Sequence, residues 1–294
     1  QYIPGKITNL VSSSNEQILV CQSSDELQNL YVYKYYWQEN DKIQSSWSVW
    51  KFGNNILNCA FIGSTLQILI SRSDGVYLEN LNLSTDSSIA VMEDDTSVLL
   101  DRRVKMKSST SVDTLSDLPY YTSIPSDIVY VNQNAQKIAQ ADVDTRIVAV
   151  DTIYAGIPYN FKYEFTRFLY KSKEEVAIQA AKLQLRNINV LYSNTGFFKL
   201  NIEVAPYTIS IPNPDIPGTT KDITPRKAYE KTFSGFVTNS SQIGEYKLLS
   251  GSFKSSILSS PQNCRISLTN DEYLPCAFQS AEWEGFLNIR SQRI

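Results

Sequence analysis

The sequence predicts an all-β protein. We expect partial β-propeller-like blades over residues 1–97, followed by an antiparallel β-sandwich-like domain over residues 98–294 that carries a proline-rich loop at 206–225. Short apolar runs recur roughly every 8–12 residues through the first third, each bounded by polar turn residues. Residues 183–204 alternate with a period of two, and 18 Tyr with 12 Phe against 11 Gly and 2 Met favour a pleated, packed surface.

Between Lys6 and Leu83 the runs are ITNLVSS, QILVCQ, NLYVYKYYWQ, SSWSVWKF, ILNCAFIG, LQILISRS and GVYLENLNL, and each reads as a strand. Gln17-Ile18-Leu19-Val20-Cys21-Gln22-Ser23 matches Gln67-Ile68-Leu69-Ile70-Ser71-Arg72-Ser73 at an offset of 50 residues. The strands before them, starting at Ile7 and Ile56, align with one gap. Four short strands per unit of about 40–50 residues mark a propeller blade. One blade and most of a second are present, whereas a ring needs about 4–8. The chain starts at Gln1, not Met, so we expect upstream sequence to complete the ring, with a plain antiparallel meander as the other option.

A polar interval, Ser84 to Thr96, carries Glu93-Asp94-Asp95 and separates the two halves. Strand character resumes at Val98 to Met106, where Arg103, Lys105 and Lys107 make a basic stripe that could touch DNA phosphate but, on a chain of net charge −3, reads as an edge-protecting or subunit-contact feature. Lys107 to Asp127, with Pro119 and Pro125, reads as a loop. Ile128–Val131 and Ile147–Val150 read as strands, and Tyr159, Phe161, Tyr163 and Phe165 alternate along another. Ser172 to Lys182 has a serine cap, early Glu174-Glu175 and a late lysine, so it reads as a short helix or a loop.

Residues 183–204 predict a hairpin. Tyr192 would face Phe198, Val190 would face Leu200, and Ile188 would face Ile202, leaving Asn194-Thr195-Gly196 as the loop. Glycine would supply the left-handed residue such a loop needs. Five prolines then fall between Pro206 and Pro225, an irregular loop of the kind used for binding or assembly. Lys231–Thr238, Glu245–Leu249, Gly251–Lys254, Cys264–Leu268 and Ala277–Ile289 follow as strands.

The absence of histidine excludes Ser-His-Asp and Cys-His catalysis within the chain, and any histidine-containing metal site. Cys21, Cys59, Cys264 and Cys276 form no C-x-x-C pair and read as free thiols of a protein assembled in the cytoplasm. No run approaches the ~20 apolar residues of a membrane span, so we expect no membrane insertion by this chain. A net charge of −3 gives no electrostatic case for a DNA-binding module.

The carboxylate sets Glu93/Asp94/Asp95, Asp142/Asp144 and Glu282/Glu284 have the residue types of a glycosidase pair, which needs its carboxyls about 5–9.5 Å apart. Acidic doublets are far commoner as solvated surface. Arg102-Arg103 and the tyrosines supply the types a sialidase uses, without a spacing that selects any. Tyr31 to Trp37, with Trp47 and Trp50, could stack bases or sugars. Because both parities are aromatic, we read this strand as buried on both faces, with tyrosine hydroxyls reaching the rim. We therefore name no catalytic, cofactor-binding or metal residue and no cofactor.

Several phrases stand out in order: Tyr33-Lys34-Tyr35-Tyr36-Trp37-Gln38-Glu39, Gln44-Ser45-Ser46-Trp47-Ser48, Leu100-Asp101-Arg102-Arg103-Val104 and Gly156-Ile157-Pro158-Tyr159. Lys182-Leu183-Gln184-Leu185-Arg186, Ala281-Glu282-Trp283-Glu284-Gly285 and Arg290-Ser291-Gln292-Arg293-Ile294 complete the set. Together they resemble the tail nozzle proteins of short-tailed (podovirus) phages, also called tail tubular protein B. Those proteins are longer, so the resemblance is to their C-terminal portion.

The resemblance implies a non-enzymatic homo-oligomer: a hexameric ring in the virion tail, assembled in the host cytoplasm. It would attach to a tail adaptor protein, help dock tail fibres and allow non-specific passage of double-stranded DNA. A conduit must not grip DNA, so we expect a neutral to acidic channel face. A second class, a carbohydrate-binding or polysaccharide-degrading propeller-type protein of the host envelope, would be marked by activity at a pair such as Glu282/Glu284.

Overall fold

The computed structural model describes residues 2–38, 41–83, 98–106, 118, 126–132, 135–143, 152–166, 168–169, 181–204, 209–212, 220–223, 228–235 and 247–289. Among them every strand pairing is antiparallel, in several sheets of which none is closed. Two compact units divide the chain, Gln1–Asp95 and Thr96–Ile294.

The first unit holds two meanders. β1 (Ile7–Ser13), β2 (Ile18–Ser23), β3 (Asn29–Gln38) and β4 (Asp41–Lys51) form one sheet in that order. β5 (Asn55–Ile62), β6 (Thr65–Arg72) and β7 (Gly75–Asn82) form the other. All seven apolar runs are strands, and the two matching segments are β2 and β6, the second strand of each sheet. Ile18, Val20, Leu30 and Val32 from the first sheet share a buried core with Ile56, Leu66, Ile68 and Ile70 from the second. The repeat therefore records two sheets that present the same face to one another.

Four sheets build the second unit. β8 (Asp101–Met106), β9 (Val129–Asn132), β10 (Lys137–Ile138) and β11 (Ile153–Ile157) are ordered β10-β9-β11-β8. A 3-10 turn at Gln140–Asp142 follows β10. β12 (Phe161–Glu164), β14 (Phe197–Val204), β17 (Ala228–Ser234) and β19 (Cys264–Asn270) form β12-β19-β14-β17. β13 (Ala181–Thr195), β18 (Leu249–Ser259) and β20 (Phe278–Ile289) form β18-β13-β20. β15 (Ile209–Pro212) pairs with β16 (Thr220–Ile223).

The predicted hairpin is not formed. β13 pairs with β18 and β20, and β14 pairs with β17 and β19, so no residue of one is registered to the other. The chain instead crosses between two sheets at Gly196, whose N–H donates to Pro275 O and whose carbonyl accepts from Gly235. The left-handed residue is Asn194, with φ of 44°. The predicted face is right: Ile188, Val190, Tyr192, Phe198, Leu200 and Ile202 are all buried in one cluster. They meet through side-chain contacts between two sheets, not edge to edge. Phe198, 0% exposed, stands at the centre of this cluster. Its ring centroid lies 5.1 Å from those of Phe233, Phe253 and Phe278.

Three further readings change. Gly251 does not break the chain, because Leu249–Ser259 is one strand in which Tyr192 lies opposite Gly251 and covers it. The interval 206–225 is not irregular throughout, since its described residues pair as a ribbon from Ile209↔Ile223 to Pro212↔Thr220. Of the proposed helix at 172–182, Ala181 and Lys182 are the first residues of β13, and the rest lies outside the described residues. Ile147–Val150, Glu93-Asp94-Asp95 and Lys107 also lie outside them.

Candidate functional site

The aromatic block of β3 does not stay buried. Leu30, Tyr31 and Val32 are buried, but Tyr36 is 52% and Trp37 47% exposed. The cause is strand length. β2 is registered to β3 only from Leu30 to Lys34, whereas β3 is registered to β4 all the way to Gln38. Beyond Lys34 the two strands leave the sheet as a two-stranded arm, Tyr35–Gln38 against Asp41–Ser45. A bulge opens where Tyr36↔Gln44 is followed by Trp37↔Lys42, and the extra residue, Ile43, is 59% exposed. Two-stranded ribbons with no third strand are marginal in water, and this one carries Tyr36, Trp37 and Ile43 into solvent.

Two contacts brace the arm at its base. Gln17, at φ 50° in the β1–β2 turn, accepts the Tyr35 N–H at its carbonyl (3.0 Å) and the Trp37 N–H at its side-chain Oε1 (2.8 Å). Lys42 Nζ donates to the Tyr33 hydroxyl at 3.2 Å and lies 6.0 Å from that ring's centroid. Hydrogen bonds from Ser45 and Lys42 hold the Tyr33 phenol below its ordinary value.

The arm continues an aromatic face. Tyr33 and Trp47 are registered partners, with ring centroids 5.0 Å apart, and Tyr35 lies 5.7 Å from Tyr33. Tyr2 packs on the same face, 5.6 Å from Trp47 and 6.0 Å from Tyr31. Beside it opens a cleft of about 700 Å³ whose lining includes Tyr2, Glu26, Asn29, Tyr31 and Lys51. Glu26 accepts hydrogen bonds from the Tyr31 hydroxyl (2.6 Å) and Asn29 Nδ2 (2.5 Å). These bonds, Tyr31 first, keep its carboxyl below the usual range. Burial, then the Glu26 contact, pushes the Tyr31 phenol up to about 12. An acid so stabilised as its anion is a poor proton donor at neutral pH.

The other residues weighed from sequence are dispersed. Glu282 and Glu284 lie on β20 opposite Asn189 and Asn187. Glu284 accepts from Asn187 Nδ2 (2.9 Å) and pairs with Lys254 (3.4 Å), so it is held as an anion instead of poised as an acid. Asp142 is in the 3-10 turn, and its partner Asp144 lies outside the described residues. Arg103 sits on β8, an edge of its sheet, and is turned inward: it donates to Val98 O (2.8 Å) and lies 5.6 Å from the Tyr154 ring centroid. All four cysteines are free thiols, and burial raises each, Cys59 to about 11. Among the described residues no group of three or more Cys, Asp or Glu could hold a metal ion. No described helix is long and apolar enough to cross a membrane.

Among the described residues the arrangement is thus one of exposed ring faces beside an open two-stranded ribbon. Sequence reasoning missed it because alternation does not report how far a neighbouring strand extends. The signal was present in the mismatch between the six-residue run QILVCQ and the ten-residue run NLYVYKYYWQ, while β4, read as the eight residues SSWSVWKF, is eleven residues long in the structure.

Comparison with known proteins gives two matches. A family described as "Bacteriophage nozzle protein" matches residues 1–211 and 219–294. The "Tail tubular protein gp12" of Escherichia phage T7 is 22% identical over 321 residues, an alignment that takes in 100% of this chain and 38% of that protein. The chain thus spans well under half the length of that relative.

Proposed function

The chain belongs to the bacteriophage nozzle protein family, and from that premise we propose that it forms part of the wall of a phage tail nozzle. In this reading copies of the protein form a hexameric ring in the virion tail, attached to an adaptor protein above and helping to dock tail fibres. The ring surrounds the path of double-stranded DNA without binding it. The role is structural, and no residue of this chain performs a reaction. What carries the reading is the reach of the family match, from residue 1 to residue 294 with a gap of only 212–218.

The finer architecture fits it. We take residues 1–97 and 98–294 as two domains. The two sheets of the first suit neighbouring blades of a propeller. One outward face carries Tyr33, Tyr35 and Trp47, and the other carries Ile62, Val76 and Leu78, which are 62%, 57% and 59% exposed. Each end of the stack is apolar and suits a further sheet. In the second domain, the sheets containing β13 and β14 suit a sandwich around Phe198. A channel face that is neutral to acidic would let DNA slide, since each phosphate neutralised by a fixed cation adds salt-sensitive affinity.

Immunogold labelling of intact virions, with antibody raised against residues 181–294, tests the assignment. Label confined to the tail tip is expected. Label absent from virions and found on the host envelope would overturn it.

A further inference from the structure

The arm formed by the ends of β3 and β4 is left over once the sheets are accounted for. Its residues lie beyond the end of β2, so within their own sheet they have no third strand beside them on the β2 side. We infer that this arm is the element by which one copy of the protein grips the next: Tyr36, Trp37 and Ile43 dock on a neighbouring copy of the same chain. The inference rests on the ring reading above and gives that ring its residues.

Area argues for a second copy over an unrelated partner. An aromatic side chain offers about 150–250 Å². Tyr36 and Trp37 are each about half exposed, and Ile43 rather more than half. The three together expose roughly 300 Å² of largely apolar surface, Tyr36 on one face of the ribbon and Trp37 on the other, so a partner that covers both clasps the arm from two sides. Interfaces are about 57% apolar, so the footprint is about 500 Å² on each side. A total of about 1,000 Å² is the lower limit for a specific contact. One such contact holds two free proteins weakly. A ring in which every copy gives one arm and receives one repeats the contact with itself, and closure makes each bond intramolecular.

Charge and rigidity point the same way. Among the arm's described residues the charged ones are Asp41 and Lys42, and Lys42 is already engaged by Tyr33. Such an arm suits neither DNA phosphate nor an anionic membrane. The Gln17 brace fixes the backbone of Tyr35 and Trp37 before docking, which lowers the ordering cost of association. Tyrosine and tryptophan are also the residues on which interface affinity concentrates.

Photo-crosslinking of the full-length protein tests this. Benzoylphenylalanine replaces Tyr36 in a one-to-one mixture of isotopically heavy and light protein. Mixed heavy–light adducts of twice the protomer mass are expected. Adducts joined only within one chain, or only to a different tail protein, would overturn the proposal. A Tyr36→Ser, Trp37→Ser double variant is expected to raise the concentration for half-maximal ring assembly at least tenfold, while its melting profile stays close to that of the parent. A parent protein that forms rings unaffected by the double variant, without mixed adducts, defeats the arm alone. A parent that forms no ring, alone or with its adaptor, defeats the nozzle reading with it.

Discussion

Gln17 holds Trp37: the side-chain Oε1 of the first accepts the backbone N–H of the second at 2.8 Å, from the turn that leads into the neighbouring strand β2. The bond joins the base of a projecting arm to the sheet it leaves. Removing it in Gln17→Ala costs about 0.5–1.5 kcal/mol, the net worth of one such bond. Amide exchange at Trp37 is expected to accelerate several-fold while the amides of Val20 and Val32 stay protected. Equal acceleration at all three would show that the brace does not act locally.

Phe198 carries the larger core. It is 0% exposed, with three phenylalanine rings at 5.1 Å. Phe198→Ala is expected to cost about 3–5 kcal/mol in denaturant unfolding. Phe286→Ala, at a residue 63% exposed and under Arg186, is expected to stay within about 0.5 kcal/mol. Similar losses at both positions would contradict the placement of the core.

Gly156 is needed for space. A Cβ there would lie 2.7 Å from Leu100 Cβ and 2.9 Å from Asp101 O, because β11 and β8 shift register at that point. Gly156→Ala is expected to cost about 1–3 kcal/mol through displaced backbone, read from the unfolding midpoint.

Lys199 and Asp271 form a pair at 2.7 Å across β14 and the end of β19. Asp271 is held below its ordinary 3.8, chiefly by the Lys199 hydrogen bond, and Lys199 is raised above 10.5, chiefly by Asp271. A depressed acid stabilises the fold above its unfolded value and stops doing so as pH falls through its folded one. Asp271→Asn is therefore expected to be slightly less stable than the parent at pH 7, by less than about 1 kcal/mol since Asp271 is half exposed. The gap should close once the pH is well below 3.8. A gap that persists undiminished at pH 2 would exclude the ion pair as its source.

The sequence was most legible where one strand is one apolar run. Gly75–Asn82 and Asn29–Gln38 were bounded almost to the residue, because turn residues interrupt each run and nothing else does. It was half legible at 183–204. A period of two reports which face of a strand is buried, and both stacking and edge pairing bury the same face, so Tyr192 and Phe198 were placed correctly and paired wrongly. Gly196 looked like a left-handed turn residue because glycine usually is, whereas Asn194 takes that conformation and Gly196 marks the crossing. The candidate site was illegible for a related reason. Tyr36 and Trp37 share the composition of buried Tyr31, and only the end of β2 at Ile18 decides that they are exposed.

The central claim is that this protein is a ring subunit. Native mass spectrometry of the full-length protein, with and without its adaptor ring, tests it most directly. The account predicts six protomers, either alone or on addition of the adaptor, with no covalent links between them. A protomer that stays single at all accessible concentrations and ignores the adaptor would contradict it.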